Sequence, residues 1–301
     1  MPFSKLKSLN KTDRIFFIIA VILTVTYFLS FLRTTDKSKK NGVKSALVNE
    51  KYLPSISRFI IKGDNILSIQ NNGKFWTITE NNSGNSIPAD EKIINNFLSE
   101  LTTIRNMYKI SDKNNSKSNF SLSDGSEITL RYYYSDKAED FYDIIFGGHD
   151  FSNNSRYIMS GKNTAVYEID TNLDSYITTS VQFWSEPYII SSLACELKNG
   201  IKETDVQAFY CNEGEAPLLK KDFPAKLLEL RHGGIAENFD EDENKNVLNC
   251  YIVLGNKKEI YFSVYETSSE SYYNIKAEYG NYTAYYKISA WTYKSIREMI
   301  L

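Results

Sequence analysis

The sequence predicts an α+β protein: an N-terminal transmembrane helix followed by antiparallel β-meanders with packed helices, arranged as two similar α+β units. Three observations lead there. A charge-free apolar run extends from Ile15 to Leu32. Beyond Lys51, short runs with the two-residue period of strands alternate with clusters of Gly, Asn and Asp. Tyr and Phe, 22 and 17 in number, raise the aromatic fraction to 14%, and broad rings suit the pleated surface of a sheet.

Residues 1–14 form a short N-terminal arm. The run Ile15 to Leu32, IFFIIAVILTVTYFLSFL, stands between Arg14 and Arg33. At a rise of roughly 1.5 Å per residue it spans about 27 Å, close to the hydrocarbon thickness of a bilayer. Its apolar surface runs all round, unlike the striped surface of a helix lying on a soluble core. Thr24, Thr26 and Ser30 can return their hydroxyls to the helix backbone. A cleaved signal peptide expects a shorter apolar core and small residues at the cleavage site, which Leu29-Ser30-Phe31-Leu32-Arg33 does not offer. Lys5, Lys7, Lys11 and Arg14 precede the span, and Arg33, Lys37, Lys39, Lys40 and Lys44 follow it, so flanking charge is nearly balanced. A short arm before a long domain is the layout of a signal anchor, which places the domain outside the cytoplasm. Residues 33–50 read as a juxtamembrane linker, either solvated or leaning on anionic headgroups.

The first unit occupies residues 51–195. Its opening strands are Ser57–Lys62, Ile66–Gln70 and Lys74–Thr79, separated by the turn residues Gly63-Asp64-Asn65 and Asn71-Asn72-Gly73. Asp90 caps a helix whose Ile93, Ile94, Phe97, Leu98, Leu101 and Ile104 share one face. A second meander follows over Glu127–Tyr134, Phe141–Phe146, Arg156–Ser160 and Thr164–Asp170, then a short helix within Asn172–Thr179. The second unit, residues 196–301, repeats the plan: a strand over Asp205–Cys211, a helix over Phe223–Arg231, four strands from Val247 to Ser289, and a closing helix from Trp291 to Leu301. Thr164-Ala165-Val166-Tyr167-Glu168-Ile169 returns as Thr283-Ala284-Tyr285-Tyr286-Lys287-Ile288, Ser175-Tyr176-Ile177 stands where Lys294-Ser295-Ile296 later does, and Glu127-Ile128 parallels Glu259-Ile260. An ancestral duplication accounts for these matches, with chance similarity between two Tyr-rich hairpins as the alternative.

A net charge of −2 supplies no basic face for a nucleic-acid backbone. Cys195, Cys211 and Cys250 lack metal or redox spacing; one disulfide is open to them, and free burial as small apolar residues is the expected state. His149 and Asp150, in Gly147-Gly148-His149-Asp150, are the candidate ligand-loop residues, although this is also ordinary turn chemistry. His232, in Arg231-His232-Gly233-Gly234, reads as a helix C-terminus. Asp240-Glu241-Asp242-Glu243-Asn244 begins like a calcium loop, but Lys245 and Tyr251 stand where Gly and Glu are required, so a solvated loop is expected. Trp76, Trp184 and Trp291 are expected to pack in the core or on hairpins. No phosphate-binding or nucleophile-elbow motif occurs, and no catalytic, cofactor or metal residues are assigned.

Several segments are familiar in combination: Lys74-Phe75-Trp76-Thr77-Ile78, Ile87-Pro88-Ala89-Asp90, Phe146-Gly147-Gly148-His149-Asp150-Phe151, Arg156-Tyr157-Ile158, Val166-Tyr167-Glu168-Ile169 and Phe183-Trp184-Ser185-Glu186-Pro187-Tyr188. In this order behind an anchor, over about residues 10–195, the chain resembles the bacterial domain of unknown function 4340 family. The resemblance implies a single-pass protein of the bacterial inner membrane, similar to auxiliary components beside ABC-type transporters, and it supplies no catalytic residues. The leading expectation is a non-enzymatic envelope module that binds a partner protein. A small-molecule or glycan binder using Tyr and Trp is the second, favoured by a deep aromatic cleft. A hydrolase, needing His149 or His232 within reach of a carboxylate or cysteine in such a cleft, is the third.

Overall fold

The computed structural model describes residues 16–27, 42–81, 83–112, 114–123, 125–135, 137–161, 164–193, 201–212, 223–237 and 239–300. Residues 16–27 form a helix, α1, exposed along its whole length. Thr24 Oγ1 donates to Ala20 O and Thr26 Oγ1 to Ile22 O, both at 2.8 Å, the hydroxyl return expected there. This is about 18 Å of helix at roughly 1.5 Å per residue, and among the described residues no helix is long and apolar enough to cross a membrane. Ile15 and residues 28–32 of the predicted transmembrane span lie outside the described residues, as do the N-terminal arm and residues 33–41.

The folded body begins before Lys51. Strand β1 (Gly42–Ser45) pairs with β6 (Arg105–Ser111), Val48 is fully buried, and its N–H donates to Leu101 O at 3.0 Å. The last part of the predicted linker is therefore sheet, because the edge of β6 needs partners for its backbone groups. The remaining strands of the first sheet are β2 (Arg58–Lys62), β3 (Ile66–Asn71), β4 (Trp76–Glu80), β5 (Ile87–Pro88), β7 (Ile128–Tyr133), β8 (Phe141–His149), β9 (Ser155–Ser160) and β10 (Val166–Asp170). Their order is β1-β6-β10-β9-β8-β7-β2-β3-β4-β5. A second sheet contains β11 (Val206–Cys211), β12 (Gly234–Ile235), β13 (Asn246–Leu254), β14 (Glu259–Glu266), β15 (Tyr272–Tyr279) and β16 (Tyr282–Ser289), in the order β11-β13-β14-β15-β16-β12. All pairings in both sheets are antiparallel.

The two sheets share a plan. In the first, β2 leads through α2 (Glu91–Thr102) and β6 into the meander β7 to β10; in the second, β11 leads through α5 (Phe223–Leu228) and β12 into β13 to β16. The leading strand flanks the start of each meander, and the strand after the helix flanks its end. The Thr164–Ile169 and Thr283–Ile288 matches accordingly fall at the fourth meander strand of each sheet. Glu127-Ile128 and Glu259-Ile260 do not correspond, since they begin the first meander strand in one case and the second in the other. Among the described residues, strands β1, β3, β4 and β5 have no counterpart in the second sheet.

Asp90 caps α2 as predicted, accepting from Lys92 N and Ile93 N, and the helix buries Ile94, Phe97 and Leu101. Ile104 lies beyond its end and is 71% exposed. The ring of Phe97 meets Phe59 and Trp184 at 5.2 Å each and Tyr176 at 5.6 Å. Trp184 belongs to α3 (Val181–Trp184), followed by α4 (Ile189–Leu193). One continuous core joins these side chains to Phe209, Phe262 and Tyr286 of the second sheet. The helix expected within Asn172–Thr179 is only a 3-10 turn, Asp174–Tyr176. The closing helix, α6 (Ala290–Ile300), lies where predicted, but Trp291 is 76% exposed while Trp76 and Trp184 are buried.

The expectation of free cysteines is overturned for two of the three. Antiparallel register sets Cys211 of β11 opposite Cys250 of β13, and the pair forms a disulfide across 39 residues of sequence. Cys195 lies outside the described residues.

Candidate functional site

The segment Phe183–Tyr188 meets Arg231–Gly234 between the two sheets. Buried Trp184 donates Nε1–H to Thr178 O at 2.8 Å, while its carbonyl accepts from Asp90 N at 2.8 Å. Tyr188 and Arg231 form an antiparallel bridge, and His232 N donates to Pro187 O at 3.2 Å. His232 Nδ1 accepts from Gly234 N at 3.1 Å, so Nε2 carries the proton and donates to Glu186 O at 2.7 Å. The ring lies on Tyr286, with centroids 4.9 Å apart. Burial pushes the imidazole pKa down. His232 is thus a neutral clasp between two segments and not a helix terminus, because α5 ends at Leu228. The pKa of the Glu186 carboxyl, half-buried near Asp90, is pushed up chiefly by desolvation and secondarily by that charge.

This junction leads into a groove of about 610 Å³ between α5 with its following residues and α6, lined by Tyr188, Lys226, Leu230, Arg231, Trp291 and Met299 among others. Leu230 supplies a buried apolar floor. Arg231 is fixed twice by Tyr188: Nη2 donates to the phenol oxygen at 2.9 Å, and the guanidinium lies 4.8 Å from the ring centre. Trp291 stands beside the floor with most of its surface open. The buried face of α6 follows Thr292 and Ile296, so Trp291, one residue from that stripe, is turned about 100° away from it. This arrangement offers a fixed cation, a stacking surface and an apolar floor, with Glu229, Ser295 and Glu298 also in its walls.

A second, polar cleft of about 430 Å³ opens beside Gly233, with Glu80, Gln182, Glu237 and Lys287 in its walls. Gln182 Nε2 donates to Gly233 O at 2.6 Å, and Asn65 Nδ2 to Glu80 Oε1 at 3.2 Å. Burial, followed by the negative charge of Glu237, raises the Glu80 carboxyl pKa. Among the described residues, the cleft's lining holds no aromatic side chain. Elsewhere Tyr210, Tyr251 and Tyr261 form a ladder with centroid spacings of 4.5 and 5.7 Å and interplanar angles of 13° and 31°. Tyr261 is exposed and the other two rings are half-buried, with the inner faces of the stack covered by one another.

His149 and Asp150 serve neither cleft. The turn expected at Gly147–Asp150 lies later: Gly147, Gly148 and His149 end β8, and the reversal runs from Asp150 to Asn154. Gly147 is required by packing, since a Cβ there would lie 2.2 Å from Phe120 O. His149 Nε2 meets Asp174 Oδ2 at 2.6 Å, and Arg156 Nη1 donates to Asp174 Oδ1 at 3.0 Å. The carboxylate demanded by a hydrolase reading is present, but it locks the base of a hairpin. Asp240, Asp242 and Glu243 of the acidic loop are exposed, as expected of a solvated loop, and Glu241 is half-buried. Glu241 accepts from Lys276 Nζ and from the Tyr285 and Tyr265 hydroxyls at 3.1 to 3.3 Å, which folds the loop onto the second sheet.

Tyr188, Arg231 and Trp291 were not singled out together by sequence reasoning. The helical wheel of residues 290–300 does hold a signal, since Trp291 falls off the Thr292–Ile296 stripe. No curated protein and no solved structure matches the chain. The family match runs from β4 to just past β11, taking in the Phe183–Tyr188 segment and the His149 hairpin while leaving out α5 and α6. Residues 76–213 thereby carry the family domain that the resemblance pointed to, described as Domain of unknown function (DUF4340).

Proposed function

We propose that the chain is a non-enzymatic, single-pass module of the bacterial inner membrane whose folded body faces outside the cytoplasm. In this reading it binds a partner protein of a transporter or envelope complex through the groove between α5 and α6. The observation that carries the binding reading is the groove's chemistry. Trp, Tyr and Arg dominate the energetics of protein interfaces, and Trp291, Tyr188 and Arg231 stand together around an apolar floor. Anchoring is supported by α1, whose apolar side chains are uncovered on every side. The side of the membrane is supported by the Cys211–Cys250 bridge, because structural disulfides persist in oxidising compartments. The link to a transporter rests on the family resemblance alone.

The test uses the full-length protein in its own membrane. It should float with membranes, protease added to spheroplasts should digest the folded body, and a photo-crosslinker replacing Trp291 should capture one defined protein. Recovery of the intact chain in the soluble fraction overturns the anchor. Protection from external protease overturns the orientation, and no adduct at position 291 overturns the groove.

A further inference from the structure

Arg105, Arg131 and Arg156 each hold a carboxylate, that of Asp170, Asp143 and Asp174 respectively, at 2.7 to 3.0 Å. Arg231, at the edge of the α5–α6 groove, is fixed by different means. The Tyr188 hydroxyl accepts from Nη2 and the Tyr188 ring lies against the guanidinium, and both of these groups are neutral. Among the described residues no carboxylate forms an ion pair with Arg231, and a guanidinium has several more N–H donors than its bond to Tyr188 uses. A charge left uncompensated on a plane that is already held still is suited to take a carboxylate through two parallel hydrogen bonds, with little freedom left to lose. Glu229 and Glu298 also stand in the walls, and Glu298 faces Lys294 at 3.7 Å. A run of acidic residues would meet those two carboxylates, so charge complementarity admits one carboxylate at Arg231 and disfavours an acidic tract.

The walls of the groove decide the backbone of its occupant. On α6, Trp291, Ser295 and Met299 recur at intervals of four residues, a row about 12 Å long at roughly 1.5 Å per residue. The other wall carries Lys226 and Leu230, also four apart, where α5 is continued by a turn in which Glu229 N donates to Ala225 O at 3.1 Å and Leu230 N to Leu227 O at 3.3 Å. Helical walls bond their own N–H and C=O groups, so neither offers the open ladder on which an extended segment adds as a strand. A segment lying on apolar Leu230 and Met299 must therefore satisfy its own backbone, which a helix does. About two turns of helix match the length of the row, and apolar side chains one turn apart would lie over Leu230 and along Trp291 and Met299.

We infer that the groove takes an amphipathic helix of a partner protein, with the helix's apolar face on Leu230, Trp291 and Met299 and one of its aspartates or glutamates paired with Arg231. This rests on the proposed function and names the chemistry of the partner in it. In the test, a photo-crosslinking amino acid replaces Trp291 in the full-length protein in its own membrane, and the captured segment is identified by mass spectrometry. Binding of that purified partner to the detergent-solubilised full-length chain is then measured. R231E should weaken it by about thirtyfold or more, as loss of one member of a desolvated charge pair does. R231K, which keeps the charge and loses the planar fork, should fall between R231E and the native chain. Exchange of one acidic residue of the captured segment for Arg should restore most of the affinity of R231E, a gain that an unfolded variant cannot show, and proline at the centre of that segment should abolish binding. No adduct at position 291, or adducts only with lipid or with a second copy of the chain, overturn the groove reading and this inference with it. A protein adduct followed by unchanged binding of R231E, by weakened binding that no acidic exchange restores, or by unimpaired binding of the proline variant overturns this inference alone and leaves the groove standing.

Discussion

Breaking the Cys211–Cys250 bridge is the perturbation whose cost follows most directly from the structure. β11 is an edge strand held on one side only, by β13, and the bridge joins it covalently to that neighbour across 39 residues of sequence. For a closed loop of about 40 residues, the loss of chain entropy in the unfolded state is roughly 13 cal/mol/K, or about 4 kcal/mol at 25 °C. With a urea slope of about 2–3 kcal/mol/M for a domain of this size, the double variant C211A/C250A should unfold about 1.3–2 M earlier. The assay is a urea titration of the detergent-solubilised chain followed by tryptophan fluorescence, since Trp76 and Trp184 are buried and report loss of the core. Reductant should reproduce the shift in the native chain and leave the double variant unmoved. Alkylation of the unfolded, unreduced protein should modify one cysteine, rising to three after reduction. Coincident midpoints with and without reductant would refute the reasoning, as would three reactive thiols before reduction.

F97A removes the ring that meets Phe59, Tyr176 and Trp184 and should cost about 3–5 kcal/mol, read as a lowered urea midpoint. The His232 imidazole is held below its ordinary value by burial, so the unfolded chain, titrating near ~6.5, takes up the proton first as pH falls. Its contribution to stability is complete above ~6.5 and disappears as pH drops through the folded value; H232A should therefore flatten the change in urea midpoint between about pH 7.5 and about pH 5.5 relative to the native chain. W291A should alter stability by no more than about 0.5 kcal/mol yet abolish capture of the groove's partner, and a large fall in its thermal midpoint would show Trp291 to be a packing residue instead.

The parts of this fold legible in the sequence are those whose pattern is local. β13 to β16 alternate buried and open positions over eight or nine residues each, and Asp90 announces α2 through the two backbone donors it satisfies. β6 was hidden because it opens with Arg105, a charged residue that is only 4% exposed. Arg105 is tolerated there because Nη1 donates to Asp170 at 2.9 Å and Nη2 to the Glu100 carbonyl, partners on separate elements that no periodicity reveals. The disulfide was hidden for a related reason: its two cysteines face one another through strand register, which has no spacing code. The candidate sites depend still more on the tertiary arrangement. Tyr188, Arg231 and Trp291 come from three separate stretches of the chain and acquire a joint meaning only when Phe183–Tyr188 is clasped to Arg231–Gly234. His149 and Asp150 drew notice as polar residues after two glycines, and their chemistry is spent within the hairpin.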